Sequence, residues 1–438
     1  MTTLLLRAGW DHLCRRWLVV VLLLLFGAIY VQYALKLRSS ENGTRSAFLR
    51  WRTQLADLDD GINVWDKYAY PNPPIMALLL KPFLQLPPLL GASLWFACKS
   101  LLALGAILGA LALVDSPERP FPPWGKLLAI GMSLRPIEGD LVHGNVNLLI
   151  LFLIVASLHS LCHRRDALAG LLLALSIACK LTPALFLLYF IWKRAWGTLF
   201  AATIGLVAFV LLIPAAAFGW SNNLDYLQSW HCQMIAPYAA GIVSSEHKNQ
   251  SLPGFLHRML SEQPSFSDYD GDLKIVLETH NLVAWDNGTV QAVTICFMGF
   301  FTLSAMVFCR ASIEKRSRLQ LTAEFSIVIL GILLFCERTW KHHCVTLLLP
   351  FGVIAYFLSA GETSRGMRWF LGITLAIVAL LMFSTSTGAY DLHVDATDRF
   401  GKLAQVYGAY VWAFLLLLAS MFAINYVGRT DTISEPEG

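Results

Sequence analysis

About twelve apolar runs, each roughly 15–24 residues long, leave little choice of architecture. They cover approximately 17–35, 91–114, 126–141, 146–161, 167–180, 181–193, 197–219, 290–310, 321–336, 343–359, 369–388 and 404–427. A segment surrounded by lipid must satisfy its own backbone hydrogen bonds, so each run is predicted to be helical. The expected fold class is an all-α polytopic membrane protein of about 11–12 transmembrane helices with two long outer loops, about 36–75 and 220–289. Composition agrees. Hydrophobic residues make up 56% of the chain and charged residues 14%, against about 25% charged in soluble domains. The mean hydropathy is +0.58. Residues 1–430 read as one integral-membrane domain, followed by a short polar tail, 431–438, expected to be disordered.

Two runs, 167–180 and 181–193, are too short to cross about 30 Å of hydrocarbon at 1.5 Å per residue. They read as a broken helix meeting at Lys180-Leu-Thr-Pro183. Arg7, Arg15 and Arg16 precede the first run with no small-residue cleavage site after it, which predicts a retained first span. The nine cysteines fall mostly in apolar runs and imply no disulfide framework. A net charge of +4, with no basic patch interleaved with aromatics, gives no nucleic-acid footprint.

Basic residues in short loops set the orientation. Arg164 and Arg165, Lys193 and Arg194, Arg310 to Arg318, and Arg365 and Arg368 fall on one side, taken as cytoplasmic together with both termini. The expected location is therefore the plasma or inner membrane. This parity puts both long loops on the outer face, with the Lys180 turn, Arg135–Asn147 and the hairpin Cys336-Glu-Arg-Thr-Trp-Lys-His-His343. Charged groups at membrane depth are costly and commonly line a wet cavity. The bland alternative for the hairpin is an interfacial turn in which Arg and Lys snorkel and Trp anchors.

Three constellations carry chemistry. Asp57, Asp59, Asp60 and Asp66 precede Tyr70-Pro-Asn-Pro-Pro74; a carboxylate there could deprotonate a hydroxyl, or could simply end a solvated helix. Glu138, Asp140, His143, Asn145 and Asn147 enter the membrane together, as a site or as an interhelical hydrogen-bond network. Lys180, Arg338, Lys341, His342 and His343 form a cationic set suited to phosphate. Adjacent histidines diverge by about 100° on a helix, so no metal site is expected.

Taken in order, Tyr70-Pro-Asn-Pro-Pro74, His143-Gly-Asn-Val-Asn-Leu-Leu149, Lys180-Leu-Thr-Pro183, Asn249-Gln-Ser-Leu-Pro-Gly254 and Arg338-Thr-Trp-Lys-His-His343 resemble glycosyltransferase family 87. The resemblance implies a GT-C architecture and inverting, metal-independent transfer of a hexose, commonly mannose, from a polyprenyl phosphate. The acceptor would be a hydroxyl of a glycan or glycolipid on the outer face, with no cofactor beyond the lipid-linked donor. It implies donor-phosphate binding by Lys180, Arg338, Lys341, His342 and His343, and substrate contacts at Tyr70, His143, Asn145, Asn249 and Gln250. The family's base Asp lies near the start of the first outer loop, where Ser46–Trp51 holds no acid; the role then falls to Asp57, Asp59, Asp60, Glu138 or Asp140. The alternative function is a non-catalytic carrier or transporter of lipid-linked sugar.

Overall fold

The computed structural model describes residues 2–39, 46–270, 273–361, 363–386 and 396–433. The chain opens with α1 (Thr2–Ser39) and a loop carrying α2 (Ala47–Ala56), α3 (Val64–Tyr68) and α4 (Pro74–Leu84). A helical bundle follows: α5 (Pro88–Val114), α6 (Pro123–His143), α7 (Asn147–Cys162) and α8 (Asp166–Cys179). A 3₁₀ turn, Thr182–Ala184, leads into α9 (Leu185–Trp192), then α10 (Trp196–Leu206) and α11 (Ile213–Phe218). The second long loop holds α12 (Trp220–Met234), α13 (Ala236–Ala239), α14 (Leu252–Leu260) and an antiparallel hairpin of β1 (Pro264–Asp270) and β2 (Leu273–Thr279). The last part comprises α15 (Asn287–Phe308), α16 (Arg318–Phe335), a 3₁₀ stretch Lys341–Leu347, α17 (Leu348–Ser359), α18 (Arg365–Ser384), α19 (Ala396–Val406) and α20 (Ala409–Ile433).

Among the described residues each predicted run is mainly helical, the last one breaking at Gly408 (φ +73). Among the described residues, eight helices are long and apolar enough to cross a membrane. The other four expected spans are α6, which carries the polar Arg135–His143 stretch, and the shorter α7, α8 and α9 with its 3₁₀ turn. The final helix runs on through Ile433; of the expected tail, 434–438 lie outside the described residues. Burial separates centre from periphery: 72% of the apolar window of α16 is buried, but only 17% of that of α15.

Small residues let two helices meet closely. A Cβ on Gly170 would sit 2.3 Å from the Thr198 carbonyl oxygen, and one on Gly205 2.6 Å from the Ala174 Cβ, so α8 and α10 meet nearly backbone to backbone. Beyond α10 the helix widens to π geometry over Val207–Leu212. Pro214 lacks the N–H that would return to Val210, and the Asn223 amide donates instead to the Val210 and Leu211 carbonyls, at 3.2 and 3.3 Å.

Contacts sort the connections into two ends. At one, Lys193 donates to the carbonyls of Cys309 (3.2 Å) and Ala311, Arg164 pairs with Glu314, and Tyr356 reaches the Arg119 carbonyl. At the other, both long loops meet the breaks at 143–147, 180–183 and 336–343. The first end is held by a buried charge cluster absent from the sequence-level expectations. Glu324 takes Lys193 Nζ at 2.6 Å, the Tyr189 hydroxyl at 2.7 Å and Arg316 Nε at 2.9 Å. The Arg316 approach is an ion pair without hydrogen-bond alignment.

Side chains of Glu324, Lys193 and Arg316 are 0%, 1% and 3% exposed. Removing the acid leaves two buried cations, which typically costs about 3–5 kcal/mol, whereas an exposed pair contributes about 0–1 kcal/mol. Glu324→Gln is expected to lower the thermal midpoint in detergent sharply, and Arg164→Ala to leave it nearly unchanged. Equal midpoints for the two variants would contradict this reading.

Candidate functional site

Three chain interruptions build the site, each with a local cause. Helix α6 stops at His143 because Gly144 turns left-handed (φ +76), returning its N–H to the Asp140 carbonyl at 3.0 Å. A Cβ there would also lie 3.0 Å from the Phe48 Cβ. Helix α8 stops where Lys180 becomes extended (φ −158, ψ 121), with Pro183 opening the following turn. Helix α16 stops at an extended Cys336.

The three breaks enclose a narrow cleft of ≈ 30 Å³. Its polar lining is Asn147, Lys180, Thr182, Cys336, His343 and Thr346; its apolar wall is Ile150, Ile154, Pro183, Ile329, Ile332 and Leu333. Behind it runs a chain of polar contacts. Asp140 is ion-paired with Lys99 at 2.9 Å, both side chains being 0% exposed. Asp140 Oδ1 accepts from Asn147 Nδ2 (2.9 Å), and Asn147 Oδ1 accepts from Lys180 Nζ (2.6 Å). Asn145 Nδ2 contacts His342 Nε2 at 3.1 Å, and the His143 ring stacks on His342 at 4.7 Å. The Asn145 Oδ1 accepts from the Val146 N–H, so its NH₂ is the group turned to His342.

The other cations are placed less uniformly. The Lys341 ammonium donates to the Thr385 carbonyl, and Arg135 to the Ser386 hydroxyl. Arg338 is 46% exposed, pairs with Glu337 at 3.1 Å and lies over the Trp340 ring. Thus Lys180 and His343 line the cleft, His342 lies beside it, and Arg338 and Lys341 stand farther along the hairpin. Among the described residues no three His, Cys, Asp or Glu side chains gather to hold a metal ion.

Of the five carboxylates considered as a base, Asp140 is the one the geometry disfavours. It is fully buried and saturated by Lys99, Asn147 and the Leu148 N–H (3.4 Å), so it has no route to a substrate proton. Asp57 accepts from Lys67 Nζ (2.6 Å) and the Tyr68 hydroxyl (2.7 Å), and these bonds hold its carboxyl below the usual range. Asp59 pairs with Lys81 at 2.8 Å, Asp60 is exposed, and Glu138 is half-buried on α6. Asp66, at the start of α3, borders a second, open and polar groove of ≈ 400 Å³ with Asn63, Asp225, Gln228 and Ser229. Tyr70 is buried against Trp51 and Trp65, and burial raises its phenol.

Asn249 and Gln250 have a different placement from the substrate contacts expected of them. Asn249 Oδ1 accepts from the Thr339 and Ser251 N–H groups (3.0 and 3.1 Å), and its Nδ2 donates to the Ser244 and Glu337 carbonyls (2.8 and 2.9 Å). Gln250 Nε2 donates to the His247 and Gln405 carbonyls, at 2.6 and 2.8 Å. Both are buried and spent on backbone, so they form a clamp joining the second loop to the hairpin and to α19. Arg258, missed in the sequence, completes it by donating to the carbonyls of Val406 (2.8 Å), Ser245 (2.9 Å) and Glu246 (2.9 Å); burial lowers its guanidinium to about 9. Lys99 was missed too, although a lone lysine within an apolar run is itself a signal.

Comparison with known proteins identifies the family. The description "Glycosyltransferase family 87" matches residues 70–337, well over half of the chain. A polyprenol-phosphate-mannose-dependent alpha-(1-2)-phosphatidylinositol mannoside mannosyltransferase of Mycolicibacterium smegmatis is 27% identical over 366 residues, covering 79% of this chain and 74% of its own. Its Mycobacterium tuberculosis namesake is 30% identical over 167 residues, 35% of this chain and 38% of its own. An alpha-(1->3)-arabinofuranosyltransferase of Corynebacterium glutamicum is 26% identical over 207 residues, 44% of this chain and 46% of its own.

The clamp has a pH dependence. His247 packs on Phe266, rings tilted with centroids 4.5 Å apart, and donates from Nδ1 to the Ser265 carbonyl; burial lowers its imidazole pKa from 6.5 to about 3. Between those values the unfolded chain binds a proton that the folded clamp excludes, so the clamp weakens as pH falls from about 6.5 towards 3. Limited proteolysis across 244–286 is expected to accelerate between pH 7 and pH 5, and His247→Gln to flatten that dependence. An unchanged pH profile in the variant would contradict it.

Proposed function

The chain belongs to glycosyltransferase family 87 and is an integral-membrane glycosyltransferase; from that premise we propose that it moves a hexose, mannose, from a polyprenyl-phosphate donor to an acceptor hydroxyl on the outer face of the membrane. One observation carries the reading. The cleft has an apolar wall of Ile150, Ile154, Ile329, Ile332 and Leu333, and a polar end bearing Lys180, Asn147 and His343. An isoprenoid chain suits the wall and a phosphate suits the end.

In this reading the acceptor oxygen attacks the anomeric carbon, the carbon–oxygen bond to phosphate breaks, and the bond electrons leave on polyprenyl phosphate. Charge grows on that phosphate in the transition state, where a fixed ammonium and fixed N–H donors help most. Lys180 and His343 would receive it, with His342, Lys341 and Arg338 along its path. The acceptor proton passes to a carboxylate. Asp57, Asp59, Asp60 and Glu138 are the four in contention. The open groove beside Asp66 and Asp225, with its amide and hydroxyl lining, suits a glycan or glycolipid acceptor. The relatives' names support mannose, but the arabinofuranosyltransferase shows that resemblance to this chain extends to another sugar.

The test uses purified protein, polyprenyl-phosphate mannose labelled in the sugar, and a mixed glycolipid extract. Labelled glycolipid and free polyprenyl phosphate are expected products. Binding of the donor without turnover would contradict transfer and favour a carrier. Among Asp57→Asn, Asp59→Asn, Asp60→Asn and Glu138→Gln, one is expected to lower kcat by about 10²–10⁴. Full turnover in all four would rule out a base among them.

A further inference from the structure

We propose that Lys99 and Asp140 act as a positioning pair, holding Lys180 at the polar end of the cleft through the Asn147 amide. The proposal rests on the reading that Lys180 meets the donor phosphate, and extends it to residues that touch no substrate.

Each atom of the chain has one assignment. Asp140 Oδ2 receives Lys99 Nζ at 2.9 Å and the Leu148 N–H at 3.4 Å, which leaves Oδ1 for Asn147 Nδ2 at 2.9 Å. An amide that gives its NH₂ to a carboxylate turns its oxygen the opposite way. Here that oxygen meets Lys180 Nζ at 2.6 Å. The flipped amide would set oxygen against oxygen at Asp140 and NH₂ against an ammonium at Lys180, so the carboxylate dictates the orientation.

Lys99 has a second effect. It neutralises Asp140, so the carboxylate does not capture Lys180. One ammonium, that of Lys99, takes the carboxylate, and the one on the cleft, that of Lys180, faces a neutral amide oxygen. Its charge is thereby left for an anionic ligand. Stability does not account for such a pair, because a buried ion pair can commonly be replaced by apolar residues of similar volume without loss. Lys99 also donates to the Asp140 carbonyl, which fixes the last turn of α6 and the start of α7 relative to α5.

The experiment compares two doubly substituted proteins, both free of the buried charges. Lys99→Met with Asp140→Asn keeps a carbonyl oxygen for the Asn147 amide; Lys99→Met with Asp140→Leu removes it. Undecaprenyl phosphate is the probe, measured by direct binding and as a competitor of donor turnover. The first protein is expected to bind within about threefold of the parent and the second about tenfold more weakly. The donor KM should rise in the second protein with kcat changed much less, a split that general misfolding would not produce. Thermal midpoints check the fold, and if the Leu variant does not fold, Asn147→Leu makes the same comparison. Lys180→Met separates the two claims. If it weakens the probe while both double variants bind alike, the positioning pair is wrong and the cleft reading stands; if it leaves binding unchanged, the cleft reading fails and the proposal with it.

Discussion

A charged side chain within a membrane bundle must be matched by other polar groups, and the chain meets that requirement by interrupting helices at three places on one end. The buried Lys99–Asp140 pair is the anchor. It ties α5 to the end of α6, faces the start of α7 through Asn147, and through that amide reaches the Lys180 turn between α8 and α9. Without the breaks at Gly144, Lys180 and Cys336 those helices would continue as apolar rods, and neither the cleft nor its polar end would exist.

Two further devices keep that arrangement in place. The short helix α9 carries the Lys180 turn at one end and Lys193 at the other, and Lys193 is bound to Glu324 on α16, the most buried of the eight long apolar helices. At the cleft end, the Asn249–Gln250–Arg258 clamp spends its donors on backbone carbonyls of the loops around it, pinning the second long loop against the hairpin. Polar groups that satisfy one another in this way rigidify a site. What they leave open is an apolar wall with one ammonium at its head.

Much of this was legible in the sequence, and the residues show why the rest was not. Runs of apolar residues locate the bundle helices because lipid forces the backbone to pair locally. The broken helix was readable from the shortness of its halves and from Pro183. Lys99 and Glu324 were passed over because each is a single charge inside an otherwise apolar run, and which charge would meet which depends on how helices stack. Asp140 looked like a base because a sequence displays an acid but not its saturation by a lysine 41 residues earlier. The clamp was hidden for the same reason: Asn249 and Gln250 sit in a motif resembling a family pattern, and only packing reveals that their amides bond to backbone. Helix α12 and the β1–β2 hairpin lay in a loop whose mixed polarity set no period.

The central claim is that the isoprenoid phosphate lies between α7, α16 and the Lys180 turn. Photo-crosslinking with a polyprenyl phosphate carrying a photoreactive group in its first isoprene units, followed by peptide mass spectrometry, tests it most directly. The account predicts adducts within 147–154 and 329–346, lost on competition with unmodified polyprenyl phosphate. Adducts confined to the outward faces of α15 and α18, or insensitive to competition, would contradict it.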